Sequence, residues 1–390
     1  MPAAPFFVIA REGADRWCAL VERGRVSELD VVGEREERLA GAVFRARVLA
    51  RRPAVDGVFV DLGLARSGLL VGDRTDPPVT SLEAGTVLPV QVVRDAEPGK
   101  GVRVTRALAL AGDRVVCLPG RGGTGVSRRI AETGDHARLE RILAPHAGDD
   151  LRLVARSAAL GVDDEVLVAE ATRLAAEARE LLARASSAPV PSLLRPAPDP
   201  VRAFVRDRLA ARAERIVLAA GTSADTDESW PLPVERRRDA GEVLGTFGLR
   251  DALREALVPE VPLRGGGRLI VETTAACATV DLDTAGAAAT TGTDPALSFD
   301  LAALPEIVRQ IRLRGLGGTI VVDFLAPATG PGRERLAGAI SEALAADPAG
   351  ARLRHLSPSG LAEIGRRRGG PPLAERPAVR RLAATGAPRR

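Results

Sequence analysis

The 390-residue sequence has no asparagine and no tyrosine, a single lysine, Lys100, and three cysteines. All but one of its 55 basic residues are therefore arginine, a pattern of GC-rich codon usage, so the abundance of arginine does not by itself point to nucleic acid. Cys18, Cys117 and Cys277 lie far apart, with no CxxC and no Cys/His cluster. That argues against a disulfide framework and against a structural zinc site. No window approaches the run of about 20 apolar residues that a membrane span needs. The opening MPAAPFFVIAREG lacks the basic start and the apolar length of a signal peptide. A cytoplasmic protein with no membrane partner is the expectation.

What is present fits a soluble chain, with 45% apolar and 27% charged residues. Its length suggests two or three folding units. The formal net charge is only +4, yet arginine clusters locally. From Arg366 onward there are eight arginines and one glutamate, spaced by Pro and Gly. This reads first as a disordered basic tail and second as a tail that adds nonspecific affinity for RNA.

The apolar pattern changes along the chain. Residues 6–32 alternate and read as two short strands joined by a turn near Gly24. Over 40–107, short Val-rich runs separated by Gly, Pro and Asp predict a small barrel. Residues 112–168 continue as short strands and loops. The segment 161–187 has helical spacing at Val168, Ala171, Leu174, Ala175, Ala178 and Leu181. A Pro-rich connector covers 187–200, and helical patterns follow near 201–213 and 247–257. The last third reads as α/β. RLIVETT and CATVDLD form a hairpin, LPEIVRQIRLRG is a helix stopped by Gly315, and GGTIVVDFL is a buried strand. RERLAGAISEALAADPAG is a second helix, stopped at Asp347-Pro348.

Chemistry concentrates at two strand ends. In ATVDLDTAG, Val280 and Leu282 alternate with Asp281 and Asp283, so both carboxylates share one face before Gly286 stops the run. Asp323 ends TIVVD. A strand–helix–strand order implies a parallel pair with a right-handed crossover. Asp281 and Asp323 would then lie at the same sheet edge, where open α/β sheets place their sites. Two carboxylates can share Mg²⁺, which takes few protein ligands plus water and phosphate, and such a site suits phosphodiester hydrolysis. Each aspartate taken alone reads as a turn former.

GGGRLIVETTAACATVDLDTAG, LPEIVRQIRLRGLGGTIVVDFL and RHLSPSGLAEIGRRR, in that order, resemble the ribonuclease E/G family of bacterial endoribonucleases. The resemblance implies that Asp281 and Asp323 bind a catalytic Mg²⁺ on a DNase I-like sheet, with Asp283 as a possible support. Upstream, FRARVLARRPAVDGVFVDLGLARSGLL is similar to the family's OB-fold RNA-binding barrel. There the aromatic matching Phe59 stacks on an RNA base; on pattern alone Phe59 reads as a barrel core residue. GVSRRI and LVARSAALG resemble the 5′-sensor region, which assigns Arg128 and Arg129 to RNA binding. Arg156 and Ser157 match the pair that grips a 5′-monophosphate; by pattern alone Arg156 is a surface residue.

The resemblance implies an α+β / α/β multidomain chain. Residues 1–35 and 201–263 would be a split RNase H-like subdomain and 36–110 the OB-fold barrel. Residues 111–200 would be the 5′-sensor region and helical connector, 264–368 the DNase I-like catalytic subdomain, and 369–390 the disordered basic tail. Several positions depart from the family pattern: Leu69 for a second aromatic, Ala275 for Glu, Asp283 for Asn, Ala326 for Asp and Pro358 for Arg. The zinc-link CxxC and the long scaffold tail are absent from this sequence, which leaves open a homodimer not held by zinc. The leading expectation is a Mg²⁺-dependent endoribonuclease that leaves 5′-phosphate and 3′-hydroxyl ends on single-stranded RNA, acting on rRNA precursors or mRNA. The alternative is an RNA-binding paralogue with weak or no nuclease activity. A third reading makes the strand-end aspartates structural and the protein a scaffold.

Overall fold

The computed structural model describes residues 4–34, 36, 38–52, 54, 56–72, 78–96, 99–130, 134–221, 230–285, 294–325 and 329–385. The chain forms two compact units, one of Met1–Glu36 with Ala211–Arg390 and one of Glu37–Ala210.

In the first unit, Phe6–Glu12, Asp15–Glu22 and Arg25–Gly33 form an antiparallel meander. Ile216–Ala219 and then Val234–Arg237 extend it in parallel. The expected two strands over 6–32 are three. Gly24, at φ +74°, turns the chain where expected, and Gly13, at φ +59°, adds a second turn that only glycine adopts at no steric cost. Trp17, Val8, Ala19 and Val31 form one core with Val243, Leu249 and Leu253 from the helices Ala240–Thr246 and Leu249–Leu257.

The second sheet of this unit runs, in spatial order, Glu260–Pro262, Arg268–Thr273, Cys277–Asp283, Gly318–Asp323, Leu361–Arg366 and Arg352–Leu356. Only Cys277–Asp283 and Gly318–Asp323 are parallel; the other neighbours are antiparallel. The helix Pro295–Leu313 connects the parallel pair. Asp294 caps it by accepting from the Leu297 amide at 3.0 Å, and Pro295 fills the first turn, where its missing N–H costs nothing. Gly315, at φ +62°, ends it as expected. Ile307 and Ile311, with Ile340 and Leu344 of the helix Gly330–Ala345, pack on Val280, Leu282, Ile320 and Val322. Each such fully buried aliphatic side chain contributes about 1.5–3 kcal/mol.

In the second unit, Val43–Arg52, Gly57–Asp61, Gly68–Val71, Arg103–Thr105 and Val87–Arg94 follow one another around a barrel that closes where Val87–Arg94 pairs with Val43–Arg52. This is the small barrel that the Val-rich runs predict. Ser192–Arg195, inside the expected connector, pairs as a sixth strand with Val43–Arg45. A second sheet of Leu110–Ala111, Val115–Pro119, Leu151–Ala155 and Gly123–Val126 packs against Asp164–Ser187, the expected long helix. The loops expected over 112–168 also contain a helix, Gly134–Leu143, whose Leu139, Ile142 and Leu143 recur at helical spacing and are buried.

The tail also differs from expectation. Pro377–Ala384 is a helix, and Leu373, Ala378 and Val379 are buried in the core of the Phe6–Gly33 meander. Arg376 pairs with Asp30, and Arg381 pairs with Asp15. The arginines that make this stretch look disordered find acidic partners more than 300 residues earlier, and its apolar residues share one helical face. Residues 386–390 lie outside the described residues. Leu373→Ala should therefore cost about 2–5 kcal/mol in chemical denaturation. A disordered tail would leave the unfolding midpoint where it is.

Candidate active site

The strand Cys277–Asp283 sends Ala278, Val280 and Leu282 into the core and Thr279, Asp281 and Asp283 to the other face. On the neighbouring strand, Ile320, Val322 and Phe324 are buried and Asp323 is exposed. The parallel register sets Asp281 directly opposite Asp323. Paired positions in a parallel ladder project to the same side, so two exposed carboxylates stand side by side on adjacent strands. Ile270 flanks Asp281 on one side, and the exposed Leu361 flanks Asp323 on the other. Among the described residues, neither carboxylate has a hydrogen-bond or ion-pair partner.

The third aspartate is in a different state. Asp283 Oδ2 accepts from Arg268 Nε at 2.9 Å and pairs with Nη2 at 2.8 Å, while Oδ1 accepts from the Ala285 amide at 2.8 Å. The Ala285 amide and the Arg268 guanidinium hold its carboxyl below the usual carboxylate range. Both of its oxygens are thus already engaged. Gly286 and Ala326 lie outside the described residues. Ala275 is exposed between the hairpin strands, and Pro358 is exposed in the turn between Arg352–Leu356 and Leu361–Arg366. Among the described residues no cluster of three or more His, Cys, Asp or Glu could hold a metal ion. A two-carboxylate donor set is what Mg²⁺ accepts when water and phosphate complete its shell, so the residues present fit that ion.

A buried carboxyl lies behind the pair and was not singled out by the sequence. Asp300, on the crossover helix, is fully buried; its Oδ1 accepts from the Leu325 amide at 3.0 Å. Its Oδ2 is buried without a hydrogen-bond partner among the described residues. Burial raises its carboxyl from 3.8 to about 6, against the Leu325 hydrogen bond, with Asp294 adding to the rise.

In the second unit, Phe59 lies on the outer face of the barrel, because Val58 and Val60 take the inward positions. This overturns the core reading of its pattern. Phe59 pairs across the sheet with Ala50 and Leu69, and the Arg52 guanidinium stacks 5.2 Å from its ring centre. Arg103 follows Leu69 in the same row.

Arg156 is only partly exposed. Its Nη1 donates to the Gly112 carbonyl at 2.7 Å and its Nη2 to Asp207 Oδ1 at 3.1 Å. Burial opposes charge on Asp207, but Arg206 and Arg156 outweigh it and hold the carboxyl below its usual range. Ser157 Oγ lies 3.3 Å from Ser127 Oγ, and the Arg129 amide donates to that Ser127 hydroxyl at 3.4 Å. The structure thus brings GVSRRI and ARSAA together, with Arg128 and Arg129 exposed on the turn that follows the strand Gly123–Val126. Sequence reasoning missed Ser127 and Asp207, since only the fold makes them neighbours.

Asp300 supplies a pH signature. A carboxyl whose folded value exceeds its unfolded value binds more protons in the folded state between the two. Stability should therefore fall as pH rises from about 4 through about 6, by about 3 kcal/mol in all. In urea titrations across pH 4–7, Asp300→Asn should remove that component; an unchanged pH profile would contradict it.

The Ribonuclease E/G family profile matches residues 109–369. Ribonuclease G of Salmonella typhimurium is 27% identical over 376 residues, covering 90% of this chain and 77% of that protein. Ribonuclease G of Escherichia coli K12 is 26% identical over 376 residues, covering 90% of this chain and 77% of that protein. Ribonuclease E of Nostoc sp. is 31% identical over 348 residues, covering 83% of this chain and 50% of that protein. With a profile that spans both the Arg156 region and the Asp281–Asp323 sheet edge, the chain belongs to the ribonuclease E/G family.

Proposed function

We propose that this protein is a Mg²⁺-dependent endoribonuclease that hydrolyses single-stranded RNA to 5′-phosphate and 3′-hydroxyl ends. The observation that carries the reading is the register of Asp281 with Asp323: two exposed carboxylates on adjacent parallel strands, without a partner among the described residues. In this reading both carboxylates hold the ion. When bound, Mg²⁺ would supply charge for the scissile phosphate and lower the pKa of a water. The chain's own contribution is placement. Val280, Leu282, Val322 and Phe324 anchor the two strand ends in the core, so the carboxylates need little reorganisation on binding. Ile270 and Leu361 give the pair apolar shoulders against which a sugar or base can rest. Asp283 is neutralised by Arg268 and acts on the pair through charge rather than as a first ligand.

The barrel of residues 43–105 is read as the OB-fold of the family, with strand order one-two-three-five-four and closure back to one. Phe59 would stack on a base while Arg52 and Arg103 meet the backbone phosphates. Arg156 and Ser157, with Arg128 and Arg129 on the adjoining turn, would receive a 5′-monophosphate. The Phe6–Gly33 meander with residues 216–257 is read as the RNase H-like part, and 264–368 as the DNase I-like part. This work would be done in the cytoplasm on rRNA precursors or mRNA.

A 5′-monophosphorylated, AU-rich single-stranded RNA with Mg²⁺ tests the reading. Asp281→Asn and Asp323→Asn should each lower the cleavage rate by at least about a hundredfold. The double variant should be little worse than either single one, because the two act as a unit. Wild-type protein that shifts this RNA on a gel but leaves it intact would favour the binding paralogue instead. Independently of cleavage, Phe59→Ala should weaken single-stranded RNA binding by about 1–3 kcal/mol. Affinity equal to wild type would remove the stacking role.

A further inference from the structure

Asp323 ends its strand, whereas Asp281 is followed by two further paired residues, Leu282 and Asp283. The side chain of Asp323 has no partner among the described residues, so its position rests on the backbone alone. The strand ends at Asp323, and the next two amides are both captured. The Phe324 amide donates to the Gly360 carbonyl at 3.1 Å. The Leu325 amide donates to Asp300 Oδ1 at 3.0 Å. The first tie runs sideways within the sheet; the second runs down to the crossover helix. The second is made by a carboxyl that is fully buried and whose other oxygen has no partner among the described residues. Such a group lowers stability relative to an apolar side chain of the same shape. Stability therefore does not account for its place beneath the strand end.

We infer that Asp300 is a positioning residue for the metal pair: its Oδ1, through the Leu325 amide, fixes the backbone that carries Asp323 opposite Asp281. The inference rests on the proposed reading of Asp281 and Asp323. It concerns how a ligand is placed, not which residues are ligands. A support of this kind sets metal affinity without touching metal or RNA.

The test separates positioning from mere packing. Asp300→Leu keeps the branching of Asp with methyl groups in place of the oxygens, fills the core and removes the acceptor. Asp300→Asn keeps an acceptor oxygen. Mn²⁺ binding to RNA-free protein is measured by electron paramagnetic resonance, alongside melting temperature and hydrogen exchange of the peptide containing Leu325. Asp300→Leu should melt at or above the wild-type temperature, exchange the Leu325 amide faster, and bind Mn²⁺ about 10- to 100-fold more weakly. Asp300→Asn should restore Mn²⁺ affinity toward wild type. Should the Leu variant fail to fold, Asp300→Ala takes its place in the same titration. Mn²⁺ bound by the Leu or Ala variant as tightly as by wild type would overturn the inference. A wild type that binds Mn²⁺ yet cuts no RNA would defeat the proposed function alone, and the variant titration would still decide this inference. A wild type that binds no Mn²⁺ would defeat both.

Discussion

The pairing of Cys277–Asp283 with Gly318–Asp323 is the constraint on which the candidate site depends. Strand side chains have a period of two, so a slip of one residue would send one aspartate into the core and bring a valine or phenylalanine to the surface. The buried row of Val280, Leu282, Ile320 and Val322 makes that slip costly. The register is therefore set by apolar burial on one face, and the opposing carboxylates are its consequence on the other. Parallel strands cannot be joined by a tight turn, and the intervening chain must cross over. The helix Pro295–Leu313 makes that crossover and covers the buried face.

That helix also ties this sheet to the meander of the same unit. Its apolar side meets the carboxylate-bearing strands, while its charged side reaches Arg25–Gly33. Arg312 Nη2 pairs with the buried Glu28 at 2.9 Å and Nη1 with Glu22 at 2.8 Å, and Arg309 donates to the Val26 carbonyl at 2.7 Å. Burial works against charge on Arg312, but Glu28 and Glu22 more than offset it and raise its pKa. Glu306 accepts from Arg25, and Glu255 pairs with Arg309. Buried ion pairs add little net stability, because desolvation consumes most of the Coulombic gain. Their geometry, however, fixes the rotation of the helix, and that rotation decides where Asp300 meets the strand end.

Local periodicity made the central part of this architecture readable. CATVDLD carries an alternation that placed its aspartates, the strand–helix–strand order set Asp323 at the same sheet edge, and Gly315 marked the end of the crossover helix. Phe59 was readable by the same rule, since GVFVD alternates and its valines claim the interior; treating the whole run as buried missed it. The tail misled because composition was weighed above periodicity. Ala378, Val379 and Leu382 share a face, but Asp15 and Asp30, which receive its arginines, lie on distant strands. Likewise nothing in ARSAA announces Ser127 or Asp207. Contacts made by sequence-distant loops leave no periodic trace. Asp300 was hidden for another reason: an acidic residue in an amphipathic helix is ordinarily on the solvated face, and here it is fully buried.

Charge around the pair is arranged unequally, and that inequality bears on the chemistry. Asp283 projects to the same face as Asp281 two residues on, yet Arg268 meets its charge within 3 Å. Three uncompensated aspartates at one strand end would repel one another, whereas Arg268 reduces the local excess to two. Those two lie on neighbouring strands in water, where high dielectric keeps their repulsion to about 1 kcal/mol at contact distances of 4 Å. The fold can therefore carry the two carboxylates side by side, and a divalent cation between them would turn a small repulsion into attraction. A third carboxylate left free would compete with phosphate oxygens for the remaining positions around a hard ion that takes few protein ligands. With Asp283 engaged by Arg268, a donor set of two at the sheet edge would leave those positions to water and substrate.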